Sequence, residues 1–474
     1  MGRLRMVDNE LKHCSQRGRL REQIREIAIT LLVSVVFVLI PEATADGPGA
    51  AQSEKSKDWA GFLGPNRDSK SVETGILKDW TSGKLEVSWK ADVGTGYVLG
   101  SVADGKFYQF EAVDSTARLV CRDAGTGEKI WDAGYEFEYK DMYGFDNGPR
   151  ATPQIDGGRV YTLGVEGMLH CFDTKDGSVV WKLDTNKKFG VVQNFFGVGS
   201  SPLIVGDDLI VMVGGSPESD QANNGKRIDG VKSNGSAIVV LDKLTGKVKH
   251  SFGEQLASYS SVQTYRNGGD TLGVAWLRGG LMGFDFKAGK VLWEFPYRAR
   301  RYETVNASTP VVDGTRIFVS ESYGLGSVVL DVKSKSEPAV IWQDTNPREQ
   351  SLALHWATPV LHEGYLYASH GSGRANAELR CVEFATGEVK WKQKGYGRAS
   401  VTYVDGHLIV LDENGKLALL KANHDKFELV SEYADADGNK LPIEYPCWAA
   451  PVVADGRLYV RGKGKIVCLQ LIPE

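Results

Sequence analysis

An acidic residue, a glycine four positions on and a tryptophan four beyond that form a phrase this chain repeats along most of its length. CRDAGTGEKIW carries it at Asp123 and Trp131, CFDTKDGSVVW at Asp173 and Trp181, GFDFKAGKVLW at Asp285 and Trp293, and CVEFATGEVKW at Glu383 and Trp391. VLDKLTGKVKH keeps Asp242 but ends in His250, and DVKSKSEPAVIW stretches the interval between Asp331 and Trp342. A second phrase stands upstream of the copies: ATPQIDGGRVYTLG, SSPLIVGDDLIVMVG, STPVVDGTRIFVS, ATPVLHEGYLYASH and AAPVVADGRLYV. The acids recur about every 50 residues, the period of a repeat architecture in which each copy is one supersecondary unit. A catalytic site occurs once per domain, so Cys, Asp and Trp in a string used this often are scaffolding rather than a redox or metal centre.

Each copy reads as four short strands: one after Ser/Thr-Pro, an Asp-Gly turn, a second rich in Val, Tyr and Ile, a third ending at the acid, and a fourth around Trp. The Asp-Gly and Thr-Gly pairs are hairpin signals, because glycine takes the positive φ that such turns need. After the N-terminus no long stretch has helical periodicity. The chain ends choose between a closed ring and an open array. The last copy stops at KIVCLQLIPE without a Trp strand, while LEVSWKADV (85–93), with Trp89, is an orphan fourth strand ahead of the first copy. Pairing the two completes the last sheet and removes a ragged edge, whereas an open solenoid would need capping repeats. Copies begin near 98, 150, 199, 259, 306, 356, 398 and 448. The expected fold is therefore all-β: an eight-bladed β-propeller of four-stranded antiparallel blades over 85–474, closed by the N-terminal strand on the last blade.

Within that frame the acid is expected to accept backbone hydrogen bonds in its turn, and the tryptophan to lie against the neighbouring blade, where a buried aromatic removes roughly 150–250 Å² from water. Cys121, Cys171, Cys381 and Cys468 share one position in the third strand of different blades, which suggests a small packing role; with Cys447 they are expected to be free thiols. There is no CxxC and no CxxCH haem signal.

The first 45 residues stand apart. Arg17, Arg19, Arg21 and Arg25 precede the apolar run IAITLLVSVVFVLI (27–40) and then ATA at 43–45. This is the pattern of a secretory signal peptide cleaved after Ala45; the alternative is an uncleaved anchor, although the run is short for a membrane span of about 20 residues. The mature protein is expected to be periplasmic or secreted, without stable membrane insertion and monomeric. Residues 46–57 read as a flexible linker and 58–84, with Trp59, Phe62, Pro65 and Trp80, as an arm packed on the propeller. The whole chain carries a net charge of −4. Nothing in that balance calls for a nucleic-acid partner.

The repeated phrase resembles the tryptophan-docking repeat of quinoprotein-type propellers. Two families share it: the pyrroloquinoline-quinone (PQQ) dehydrogenases and the non-enzymatic BamB scaffold of the outer-membrane β-barrel assembly machinery. DWAGFLGPNRD (58–68) and GTGYVLGSVADGKFY are also similar to secreted bacterial PQQ-like, or BamB-like, propellers, so the resemblance spans about residues 58–474. It implies the fold and leaves function open. A dehydrogenase of that family would carry a vicinal cysteine pair, which this sequence lacks. It would also need oxygen ligands for Ca²⁺ beside an aspartate base, and none can be assigned. DADGN (435–439) is better read as a hairpin tip than as a calcium loop. The BamB resemblance implies a lipid anchor, yet the only cysteine near the apolar run is Cys14, upstream of it.

Two features depart from the repeat. SPESDQANNGKRIDGVKSNGS (216–236) is inserted between the second and third strands of the third blade, a long polar loop that is either a binding element or a tolerated insertion. The other is a ring. The residue three before the proline, or its equivalent, is Tyr97, Arg150, Gly199, Tyr259, Ala307, Trp356, Arg398 and Trp448 around the eight copies. This position precedes the innermost strand, so the eight should encircle one mouth of the central channel. Tyr97, Arg150, Tyr259, Trp356, Arg398 and Trp448, with no acid among them, suit a planar, sugar-like or anionic ligand, or a peptide; alternatively they plug the channel by packing on each other. The sequence thus favours a non-enzymatic binding or scaffolding module of the cell envelope, with no catalytic or metal-ligating residue and no cofactor. The partner would be an envelope protein, a peptide or a small ligand. A PQQ-dependent alcohol dehydrogenase, with PQQ and calcium, comes second, and a sensor of a surface polymer third.

Overall fold

The computed structural model describes residues 57–192, 195–221, 230–373 and 375–473. The expected signal peptide, the expected linker up to residue 56 and part of the 216–236 insertion lie outside them. Eight antiparallel sheets of four strands form a ring, and seven of them are consecutive meanders. The eighth is completed by Val87–Asp92, which pairs antiparallel with Lys465–Gln470, so no blade is left with an open edge inside the ring.

The recurring acid does what its turn requires. Asp123 accepts from the amides of Gly125 and Thr126 at 2.9 and 2.8 Å, and Asp285 from those of Lys287 and Ala288 at 3.0 Å. These bonds fix a turn whose glycine has positive φ and also meets the neighbouring blade. A Cβ on Gly177 would lie 2.6 Å from the indole of Trp131, and one on Gly246 the same distance from Trp181. The indole N–H completes the seam: Trp131 donates to the Thr174 carbonyl at 3.1 Å, Trp181 to Lys243 at 3.0 Å, Trp342 to Phe384 at 2.9 Å, and Trp89 to Ala124 at 3.0 Å. Each tryptophan is therefore clipped to the next blade's turn by a ring face and one hydrogen bond. Trp131, Trp181, Trp342 and Trp391 are half-buried rather than fully buried. Trp293 is the exception: it folds back over Gly283 and donates to the Tyr265 hydroxyl at 3.1 Å.

The four strand cysteines also find a physical reason. Cys121 pairs across strands with Tyr108 on one side and Trp131 on the other, and Cys171 with Tyr161 and Trp181; Cys381 and Cys468 repeat the pattern. The flanking rings approach to 6.0 Å across Cys121 and Cys171. Only a small side chain fits between two aromatics that close. All five described cysteines are buried and unbonded to one another, and burial pushes the Cys121 and Cys171 thiols up to about 11, which suits packing and not nucleophilic chemistry.

The Ser/Thr-Pro phrase forms a belt around the channel. The Thr152 amide donates to the Ser201 hydroxyl at 2.9 Å, the Ser201 amide to Ser261 at 2.9 Å, the Ser261 amide to Thr309 at 3.1 Å, and the Thr309 amide to Thr358 at 3.0 Å. The hydroxyl thus satisfies an inner-strand donor of the preceding blade, a buried group that would otherwise cost about 1–3 kcal/mol.

Residues 57–84 run across the end of the channel that carries the tight turns. Trp59 bridges to Val102 and the Ala60 carbonyl accepts from Ile155. Arg67 donates to the carbonyls of Pro202 and Ser201 at 2.8 and 3.1 Å, and Gln263 donates to the Arg67 carbonyl at 3.0 Å. Ser71 then donates to Tyr403, and the Trp80 amide to the Ser431 hydroxyl at 2.8 Å. The Leu77 amide donates to the Leu471 carbonyl and the Gly456 amide to Glu73, so the segment touches blades one to four and then blades seven and eight. Among the described residues no helix is long and apolar enough to cross a membrane.

Candidate functional site

In each blade the innermost strand starts on one face of the ring. The outer-to-inner connections and the loops between second and third strands emerge on that same face, whereas the Asp-Gly turns and the 57–84 segment occupy the other. The topology therefore gathers the residues that precede the inner strands at one mouth. Tyr97, Arg150, Gly199, Tyr259, Ala307, Trp356, Arg398 and Trp448 all line a single cavity of about 380 Å³. Trp59, Gly61, Phe62 and Leu63 line it too; coming from the segment across the far end of the channel, they form its floor. Phe145, Phe196, Tyr323, His355 and Tyr445, all from loop-face connections, raise the wall. The channel is neither open nor plugged: it is a cup.

The aromatic side of the cup is continuous. Tyr97 and Trp448 have ring centroids 4.9 Å apart, Trp448 and Trp356 4.8 Å, and Trp356 and His355 4.8 Å. Arg398 lies 4.5 Å over the Trp356 ring and 5.6 Å from that of Trp448, and Arg150 lies 5.5 Å over Tyr97. Gly199 is part of the design, since a Cβ there would come 2.9 Å from the Tyr259 ring.

The ring's lack of acids does not make it cationic. Arg150 pairs with Asp141 at 2.7 Å and Arg398 with Glu413 at 2.6 Å, and both carboxylates are fully buried. The side chains of Arg150 and Arg398 are themselves only 8% and 14% exposed. The expectation of an anionic ligand changes as a result, since a free anion has no uncompensated positive charge to meet in the ring. Nor can either arginine be removed at little cost, because each is the partner of a buried carboxylate. Asp141 and Glu413 sit in connecting loops outside the repeated phrase, so the repeat alignment gives no sight of them.

His355 extends the Arg398 contact. Arg398 can only donate, so the 3.2 Å contact to Nδ1 makes that nitrogen the acceptor and leaves the proton on Nε2, which faces the Tyr323 hydroxyl at 3.3 Å. Burial, followed by the Arg398 charge, pushes the His355 pKa down to about 4, so the ring is neutral near pH 7. The indole N–H groups of Trp356 and Trp448 are buried without a hydrogen-bond partner, a cost of about 1–3 kcal/mol for each such group.

A second cavity of about 810 Å³ adjoins the cup over the seam between blades eight and one. It shares Tyr97, Phe145, Tyr445 and Trp448 with the cup and continues past Val113, Asp114, Lys140 and Lys463. The 216–236 insertion emerges on the same face, where Ser216 donates to the Gly190 carbonyl and Asn234 to that of Phe189. DADGN is a tight turn, with Asp435 accepting from Asp437 and Asn439 at 3.0 and 2.7 Å.

The described lining of the cup contains no Asp, Glu, Asn or Gln side chain. Among the described residues no group of three or more His, Cys, Asp or Glu is placed to hold a metal ion. Calcium needs six to eight oxygen ligands, and a polycarboxylate quinone needs uncompensated cations; the residues present fit neither.

No curated protein sequence matches the chain. Among solved structures it is similar to the quinohemoprotein alcohol dehydrogenase from Comamonas testosteroni, at 14% identity and a TM-score of 0.60 over 90% of this chain and 82% of that one. A europium-containing methanol dehydrogenase gives 12% identity and a TM-score of 0.60 over 85% and 89%. BamB from Moraxella catarrhalis matches at 14% identity and a TM-score of 0.42 over 85% and 97%. At these identities the two dehydrogenases attest the fold alone. The sequence itself matches a family profile over residues 115–356 and 335–428, most of the ring. With its eight four-stranded blades and closed seam, the chain belongs to the family described as outer membrane protein assembly factor BamB.

Proposed function

We propose that this protein is a non-enzymatic binding module of the bacterial cell envelope, exported and released by cleavage near Ala45, and that its ligand or partner engages the cup on the loop face. The observation that carries the reading is the cup itself: a cavity at the ring axis, walled by aromatics, floored by the 57–84 segment, with its two arginines already compensated. Such a site offers apolar surface and shape, and no side chain poised as base or metal ligand. The family description supports an envelope role with protein contacts.

The second reading, a PQQ-dependent dehydrogenase, draws on the fold shared with the solved dehydrogenases. One experiment separates the two. The purified protein is incubated with PQQ and Ca²⁺, dialysed, and examined by absorption spectroscopy and a dye-linked alcohol assay. The binding reading expects the quinone to be lost on dialysis; stoichiometric retention with turnover would establish the dehydrogenase. Export is checked by intact mass: the released protein should begin near Asp46, and retention of residues 1–45 in the membrane fraction would refute cleavage.

A further inference from the structure

Taking the cup as a ligand site, we propose that it receives an uncharged planar aromatic group. Three observations narrow the ligand to that class. First, the arginines are neutralised by Asp141 and Glu413, so the cup carries no net charge to attract a free anion. Second, a sugar presents many hydroxyl donors, and the described lining offers no carboxylate or amide side chain to accept them; the Ser261 and Thr358 hydroxyls already accept from the Ser201 and Thr309 amides. Third, what the cup does offer is ring faces: Tyr97, Trp448 and Trp356 form a continuous tilted row. A planar group entering beside this row gains stacking area.

The same chemistry can come from a free aromatic compound or from an aromatic side chain of a polypeptide. The adjoining cavity past Val113 separates these sources, since only a chain would extend into it.

The purified protein is titrated by ligand-observed NMR with four probes: N-acetyl-tyrosine amide, N-acetyl-cyclohexylalanine amide, N-acetyl-tyrosine carboxylate and maltohexaose. The tyrosine amide should bind, the cyclohexyl analogue several-fold more weakly, and the carboxylate no more tightly than the amide. Trp448→Ala should lose on the order of tenfold in affinity for the tyrosine amide, as expected for a central aromatic contact. Tyr445→Ala, at a residue 38% exposed, should lose several-fold and guards against a Trp448 variant that does not fold. A short serine-glycine peptide with one central tyrosine then distinguishes the sources. Tighter binding than the amide, lost in Val113→Arg, assigns a polypeptide; equal binding, unaffected by Val113→Arg, assigns a free aromatic compound. Maltohexaose binding that depends on Trp448 and exceeds that of the amide would overturn the ligand class while leaving the cup as a site. Absence of any Trp448- or Tyr445-dependent binding by folded protein would overturn both.

Discussion

The two faces of the ring are built by different rules. On the turn face the connections are short, and one plan recurs: an acid caps the turn, a glycine makes room, and the preceding blade's tryptophan lies on it. Gly127 under Trp89, Gly177 under Trp131, Gly246 under Trp181 and Gly387 under Trp342 repeat one contact around the ring. On the loop face no two connections match. Residues 137–150 bring Asp141 and Phe145, 344–356 bring His355 and Trp356, and 433–448 bring Tyr445 and Trp448. Repetition is what stability requires of identical interfaces, and irregularity is what recognition requires of a site used once. The exposed aromatics divide accordingly: Tyr143 and Phe145, 50% and 64% exposed, stand in a loop-face connection.

The sharpest way to break this contrast is to remove the arginines, because they belong to both categories. Arg150→Ala or Arg398→Ala leaves Asp141 or Glu413 buried without its partner, at a cost of about 3–5 kcal/mol each. Calorimetry should show a large fall in Tm for either variant; a melt unchanged within a few degrees would mean that the ion pairs are not formed.

On the turn face, Trp181→Ala should cost about 2–3 kcal/mol, below the roughly 3–5 of a fully buried aromatic, since this ring is half-buried. Gly246→Val should also destabilise, because its Cβ would lie 2.6 Å from the Trp181 ring at a φ of 69°. Neither substitution should change affinity for a cup ligand in a folded sample. If either does, the faces are not functionally separate.

Acid offers a smaller test. Burial lowers the pKa of His170, His355 and His370 from 6.5 to about 4. Between those values the unfolded chain takes up protons that the folded one refuses, so the stability these groups contribute is complete above about pH 6.5 and is lost as the pH falls toward 4. Glu166 and Glu321, whose carboxyls burial pushes up, act in the opposite sense. The effect of one histidine is therefore read as a difference: Tm against pH should decline less steeply in His355→Gln than in the unmodified protein.

The smallest expected change in stability is at the cup's exposed rim. Tyr445→Ala should alter unfolding free energy by no more than about 0.5 kcal/mol while weakening aromatic probes. A large loss of stability without change in binding would make the row of rings a packing element.

The sequence by itself determined the ring. Asp-Gly and Thr-Gly turns, alternating strands, the Ser/Thr-Pro phrase and the orphan strand at Trp89 are local signals, and repetition made each copy a check on the others. It also located the mouth: five of the eight residues from Tyr97 to Trp448 follow from counting back from a proline, and Tyr97, Tyr259 and Arg398 from the equivalent position in copies without one. The chemistry of that mouth was decided by the tertiary structure alone. Asp141 lies 9 residues from Arg150 and Glu413 lies 15 from Arg398, in loops that obey no repeat, so no pattern announces that they neutralise the ring. Arg67 reaches the Pro202 carbonyl across 135 residues, and nothing in DWAGFLGPNRD reveals that the segment floors the channel. Charge compensation and enclosure depend on distances between separate connections. A repeated sequence specifies the contacts it repeats, and leaves to the folded chain those that are made only once.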